Sequence, residues 1–169
     1  WAEMLVEQNS DSEITLFGVS MGGATVMMAS GEETLPKQVV NIVEDCGYSS
    51  VWDELKYQAK AMYNLPAFPI LYEVSAVSKV RAGFSYGQAS CVKQLKNNTR
   101  PILFIHGSED KFVPTSMVYK NYRATNSEKD LYIAKGAAHA KSFESDPKTY
   151  IEKISAFLQK NEKRKCDYE

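Results

Sequence analysis

Leu16-Phe17-Gly18-Val19-Ser20-Met21-Gly22-Gly23-Ala24 joins an apolar run to a small-residue, helix-compatible run through a serine between glycines. Ile14 to Val19 reads as a buried strand, and a helix pattern follows the second glycine. Strand, tight turn and helix is the context in which Gly18-x-Ser20-x-Gly22 means a nucleophile elbow. The turn forces the serine into a strained backbone and lifts its hydroxyl above the sheet edge. Gly18 and Gly22 are expected to let strand and helix approach without Cβ clashes. A phosphate loop fits poorly: no Gly-Lys-Ser/Thr follows, and the spacing is not G-x-G-x-x-G.

Outward from this stretch, strands and helices alternate. Trp1 to Gln8 predicts a helix, with Trp1, Met4, Leu5 and Gln8 at helical spacing. Gly22 to about Ser30 predicts the helix after the serine. Gln38 to Glu44 carries Val39, Val40, Ile42 and Val43, a second buried strand of the kind a covered parallel sheet uses. Ser50-x-x-Asp53 predicts a helix start, with Ser50 as the cap. Ile102 to Ile105 and Asp130 to Ala134 predict two more strands. Between the last two lies a helix with Met117, Val118 and Tyr122. Asp146 and Pro147 open a final helix, whose buried stripe is Tyr150, Ile151, Ile154, Phe157 and Leu158. From Asn161 on, the chain is charged and expected to fray. The expected fold class is α/β: a single doubly wound, mostly parallel sheet over residues 1–169. Residues 48–90 form a helical insertion within it.

The composition narrows the function. Hydrophobic residues make up 44% of the 169 and charged residues 24%, ordinary for a globular domain. A net charge of −1 gives no argument for nucleic acid or an anionic membrane as partner. No run is long enough to span a bilayer, and no signal-peptide pattern opens the chain, so no membrane contact and a cytoplasmic location are expected of this segment. Cys46, Cys91 and Cys166 form no C-x-x-C pair and no zinc spacing, which predicts reduced thiols and no metal. Asn97-Asn98-Thr99 is a glycosylation triplet with no other sign of secretion.

A serine hydroxyl needs a base within hydrogen-bond reach. The chain has two histidines. His106 lies four residues before Asp110 at one strand end; His139 follows a later strand in a Gly/Ala-rich loop. The chain order Ser, acid, His is met by Ser20, Asp110 and His139. Each of the three follows a different strand, at the carboxyl edge where ligands of open α/β sheets bind. Ser20 would attack an acyl carbon, His139 would move the proton, and Asp110 would hold the imidazole tautomer. Asp45, after the second strand, is an alternative acid. Cys46 has no elbow around it and reads as a buried structural thiol. The aromatic group Trp52, Tyr57, Tyr63, Phe68, Tyr72, Phe84 and Tyr86 fits plain core or a lid over the acyl or leaving-group pocket; Trp52, Phe68 and Tyr72 are its expected lining.

These motifs together resemble the α/β-hydrolase superfamily. Gly18-Val19-Ser20-Met21-Gly22-Gly23 is similar to the family's elbow, His106-Gly107-x-x-Asp110-x-x-Val113-Pro114 to its acid loop, and Gly136-x-x-His139 to its histidine loop. The chain resembles the C-terminal part of such a protein over essentially its whole length. Within the superfamily it is similar to bacterial serine esterases and peptidase-like members. The resemblance implies a Ser-Asp-His hydrolase acting on a small-molecule ester or amide through an acyl-serine, with no cofactor. A carboxylesterase leads; a peptidase, a thioesterase or a non-catalytic binding protein of the same fold are the alternatives. It also implies that the backbone amide of Met21 is one oxyanion donor. The second donor, and the superfamily's N-terminal strands, are expected outside this sequence. The piece alone is therefore expected to turn over slowly, and its open sheet edge leaves room for a homo-oligomer.

Overall fold

A computed structural model describes the backbone of residues 1–168 and the side chains of residues 1–162. Its elements follow the sequence as α1 Ala2–Gln8, β1 Ile14–Val19, α2 Met21–Ala29, β2 Val39–Asp45, α3 Val51–Tyr63 and α4 Ile70–Ala82. The chain continues through α5 Cys91–Leu95, β3 Ile102–Gly107, α6 Ser116–Ala124, β4 Lys129–Ala134, α7 Ser142–Ser145 and α8 Pro147–Tyr168. The four strands are all parallel, in the order β1-β2-β3-β4.

Period-2 alternation sends each strand's side chains to two different layers. Ile42, Ile102 and Phe104 face one layer, where Ala24 and Met27 of α2, Cys91 and Leu95 of α5, and Val118 of α6 close over them. Val43, Leu103 and Ile105 face the other, where Tyr150 and Phe157 of α8 cover them. Helices therefore lie on both faces, as the continuous apolar runs of β2 and β3 predict. Every residue of β3 is buried. β1 is different. Its only partner strand among the described residues is β2. Phe17 is 51% exposed and Val19 39%.

Local chemistry explains the boundaries. Ser50 Oγ accepts from Asp53 N–H, capping α3 at 3.0 Å. Asp146 Oδ1 accepts from Thr149 N–H at 3.0 Å and caps α8. Gly83, at φ +82°, ends α4 in a left-handed turn. α8 runs to Tyr168, past the point where the charged run predicts fraying; its Lys, Glu and Arg residues are good helix formers. Two short helices have no counterpart in the sequence pattern. α5 holds because Ser90 Oγ caps Lys93 N–H and because Cys91 and Leu95 are buried beside α2. α7, four residues long, is pinned through Ser142.

Residues 48–90 leave the sheet and return. A bridge between Ser50 and Ser90 closes the base of the excursion. α3 and α4 fill it. No helix among the described residues is long and apolar enough to cross a membrane. Cys46 and Cys91 are unpaired and buried; Cys166 lies outside the described side chains.

Candidate active site

The site begins with a strained residue. Ser20 sits at φ +57°, ψ −115°, between the end of β1 and the first turn of α2. A non-glycine residue in that region is costly and persists only where its surroundings over-determine it. Here Ser20 N–H donates to the Asp45 carbonyl at 2.8 Å, and the Ser20 carbonyl accepts from Ala24 N–H at 3.0 Å. A Cβ on Gly18 would lie 2.1 Å from the Gly22 carbonyl oxygen, so only glycine fits there. The expectation for Gly22 is different from what the fold uses: a Cβ there would meet open space. The close approach is made instead by Gly23, whose Cβ would stand 3.1 Å from the Asp45 carbonyl oxygen.

Three strand ends then converge. Ser20 Oγ and His139 Nε2 are 2.8 Å apart. His139 Nδ1 and Asp110 Oδ2 are 2.8 Å apart. A carboxylate accepts only, so Nδ1 carries the imidazole proton and Nε2 is free to accept from the serine. Asp110 Oδ1 accepts from the N–H groups of Phe112 and Val113, each at 2.9 Å. Asp110 is thus both a turn residue and the partner of His139. Burial alone would push its carboxyl up. The nearby N–H groups of His106, His139 and Val113 outweigh that and hold it below the usual carboxylate range. The His139 side chain keeps 22% of its surface open to solvent. The ring of Phe112 lies against it, centroids 4.9 Å apart.

Asp45 does not reach His139. Its oxygens accept from Ser142 Oγ at 2.9 Å and Tyr150 OH at 3.0 Å, which ties the loop after His139 and the start of α8 to the end of β2. Burial pushes the Asp45 carboxyl up against those two bonds. Cys46 Sγ, a carboxylate oxygen of Asp110 and a ring nitrogen of His139 lie within 4.8 Å of one another, a spacing that could hold a metal ion. The donors do not suit one. Asp110 and His139 are bonded to each other, and burial pushes the Cys46 thiol up to about 12.

The insertion flanks the acid loop. Tyr57 OH donates to the Lys111 carbonyl at 2.8 Å, and Gln58 Nε2 to the Phe112 carbonyl at 2.7 Å. Tyr72 meets Trp52 and Phe68 edge to face, centroids 4.9 and 5.8 Å apart. These rings pack on one another, outside the two core layers, and Phe68 and Tyr72 are exposed. A cavity of about 450 Å³ runs between α3 and the start of α6, lined by Tyr57, Leu65, Pro114 and Met117 with Lys56, Lys60 and Lys120 at its rim; Trp52, Phe68 and Tyr72 are not among its walls. The contact the sequence reading missed is His106. It is fully buried, and its Nε2 lies 3.4 Å from Asp110 Oδ2. The four-residue spacing was its only visible signal.

A parallel sheet layered by helices, with Ser20 in a strained turn after its first strand, is a partial α/β-hydrolase fold. The sequence profile of the prolyl oligopeptidase family matches residues 1–165, and the chain belongs to that family. It is similar to the uncharacterized Bacillus subtilis protein YqkD, 30% identical over 145 residues, 86% of this chain and 47% of that protein. The chain thus spans about half the length of that relative. Among solved structures, Pyrococcus horikoshii acylaminoacyl peptidase superposes at TM-score 0.65 with 20% identity, covering 95% of this chain and 26% of the peptidase. The Pyrococcus furiosus esterase Pf2001 superposes at 0.64 with 19% identity, covering 94% of this chain and 58% of the esterase.

Proposed function

We propose that this chain carries the nucleophile, base and acid of a serine hydrolase that cleaves a carboxylic ester or amide through an acyl-serine. The observation that supports it most is the unbroken hydrogen-bond chain from Ser20 through His139 to Asp110, with the serine in a strained turn at the start of a helix. Membership in the prolyl oligopeptidase family supports a hydrolase.

The chemistry follows from the geometry. Ser20 Oγ adds to the acyl carbon as its proton passes to His139 Nε2. Asp110 stabilises the resulting imidazolium. Met21 is the first residue of α2, so its N–H is one of the donors a helix leaves free at its start, and it would face the oxyanion. The tetrahedral intermediate collapses, His139 protonates the leaving alcohol or amine, and water then releases the acid by the same route. An ester is the leading substrate, a thioester an alternative; family membership favours the amide as the second reading. In this reading α3 and α4, with Trp52, Phe68 and Tyr72, form a lid over the acyl or leaving-group pocket; the bonds from Tyr57 and Gln58 of α3 to the acid loop support it.

A fluorophosphonate probe tests this directly. Wild-type protein should be labelled at one residue and Ser20→Ala should not be labelled at all. Labelling that survives Ser20→Ala, or a wild type that is spared, overturns the assignment. A screen of ester chain lengths and peptide amides on the same protein then separates the two substrate readings.

A further inference from the structure

We propose that His106 is a positioning residue for Asp110, a second imidazole that holds the acid loop closed and sets how strongly Asp110 draws on His139. The inference rests on the catalytic reading above.

The Asp110 carboxylate has two oxygens, three hydrogen-bond donors and a second imidazole close by. Oδ1 takes the backbone N–H groups of Phe112 and Val113. Oδ2 takes His139 Nδ1 at 2.8 Å and stands 3.4 Å from His106 Nε2. The same His106 nitrogen lies 2.9 Å from the Val113 carbonyl. A carbonyl can only accept, so His106 Nε2 carries a hydrogen. That N–H points at the backbone of the acid loop, and the carboxylate stands 3.4 Å from the same nitrogen. The loop from Asp110 to Val113 is thereby closed twice, by Oδ1 on its N–H groups and by His106 on its last carbonyl.

His106 Nδ1 has no hydrogen-bond partner although the residue is fully buried. A buried polar atom without a partner costs free energy that a leucine in its place would not. The fold keeps an imidazole at the penultimate position of an otherwise apolar strand, β3, where only its other nitrogen finds polar neighbours. Those neighbours are Val113 and the acid.

The arrangement has a sign. The polar N–H edge of His106, 3.4 Å from Asp110 Oδ2, stabilises the same carboxylate charge that His139 draws on. Removing it leaves the carboxylate a stronger partner for the His139 imidazolium, which the pH dependence of turnover reads. The other charged or titratable groups that bear on this pair are Cys46 at the end of β2, Glu54 on α3, which acts on both Asp110 and His139, and Asp45, which acts on His106. All three stay in place when only His106 is changed.

The experiment compares His106→Leu and His106→Gln with the wild type, using an activated ester and nuclear magnetic resonance of the His139 ring. In His106→Leu, kcat should fall between about ten- and a hundred-fold, the range that a bond to a charged group represents, with KM nearly unchanged. The acid limb of kcat/KM and the His139 ring titration should both move to higher pH. His106→Gln, which keeps an N–H, should return part of the loss. A folded His106→Leu whose acid limb and His139 titration stay at wild-type positions overturns the proposal, as does a glutamine variant no better than leucine. The wild type gives a second check should leucine not fold: the ring ¹⁵N shifts of His106 must show hydrogen on Nε2, and an Nδ1–H tautomer overturns the proposal. Because the ring titrations need no turnover, a protein that fails to label at Ser20 while His139 still responds to position 106 sinks the catalytic reading alone.

Discussion

Asp110 and Glu44 show how neighbouring strand ends place two carboxylates in opposite states. Asp110 is held below the usual range by its donors, so the folded state gives up that proton more readily than the unfolded chain. Its contribution to stability is complete above the unfolded pKa of about 3.9 and is lost as pH falls through the folded value. Glu44 is fully buried, with one oxygen on Gly47 N–H and the other unpartnered; burial pushes its carboxyl well up. There the folded state binds more protons than the unfolded chain above about pH 4.3, so stability declines as pH rises towards the folded value. Melting curves of Glu44→Gln and wild type between pH 4 and 8 should diverge, with the variant gaining on the wild type as pH rises; parallel curves would refute this. Asp110→Asn should lower turnover on the order of 10⁴-fold, because an amide at Oδ2 can favour the wrong imidazole tautomer. Kinetics at saturating ester measure it, and a loss under tenfold would count against Asp110. Ser20, Asp110 and His139 were legible because each follows its own strand in one chain order. His106 was not: a histidine inside a hydrophobic run looks the same in sequence whether it packs or donates.

At the scale of elements, what could be read depended on length. The strands and the helices of seven residues or more carry enough turns or alternations for a period to show. α5 and α7 have five and four residues and owe their existence to a cap and to buried anchors supplied by distant segments. The elbow shows the same dependence: G-x-S-x-G is visible as a pattern, but that Gly18 and Gly23 make the close approaches follows from how α2 leans on β1 and β2. Gly18→Ala should therefore cost about 1–3 kcal/mol of stability, whereas Gly22→Ala should cost less; denaturant titration of the two would distinguish them. α4 is apolar yet open, with Val77 and Val80 exposed, the latter at 87%. If α3 and α4 form the proposed lid, Trp52→Ala with Tyr72→Ala should change chain-length preference among esters more than reactivity towards a small activated ester. Equal losses on all esters would argue for a purely structural role.

For the whole molecule, the sheet is covered by helices on both faces and has two edge strands, β1 and β4. β4 has salt links to α8 through Lys160 and Asp130. β1 has no strand on its far side among the described residues, and Phe17 and Val19 beside that edge are exposed. Such an edge is a template for pairing with another chain. Light scattering of the 169-residue chain should show concentration-dependent association, reduced by Phe17→Lys. A monomer at all concentrations would show that the edge is not sticky.

The hydrogen bond between Ser20 and His139 also joins residues 119 positions apart. No local segment can assemble that pair. It forms only after β4 has docked on β3, and β3 on β2, all by parallel pairings that require long crossovers. Chains dominated by such distant contacts fold slowly, because loop-closure entropy is spent before the contacts return it. On the role proposed for Ser20, its reactivity should therefore report the last stage of folding: in refolding from denaturant, helix signal is expected to return before Ser20 can be labelled, and labelling that returns as early as the helix signal would refute this.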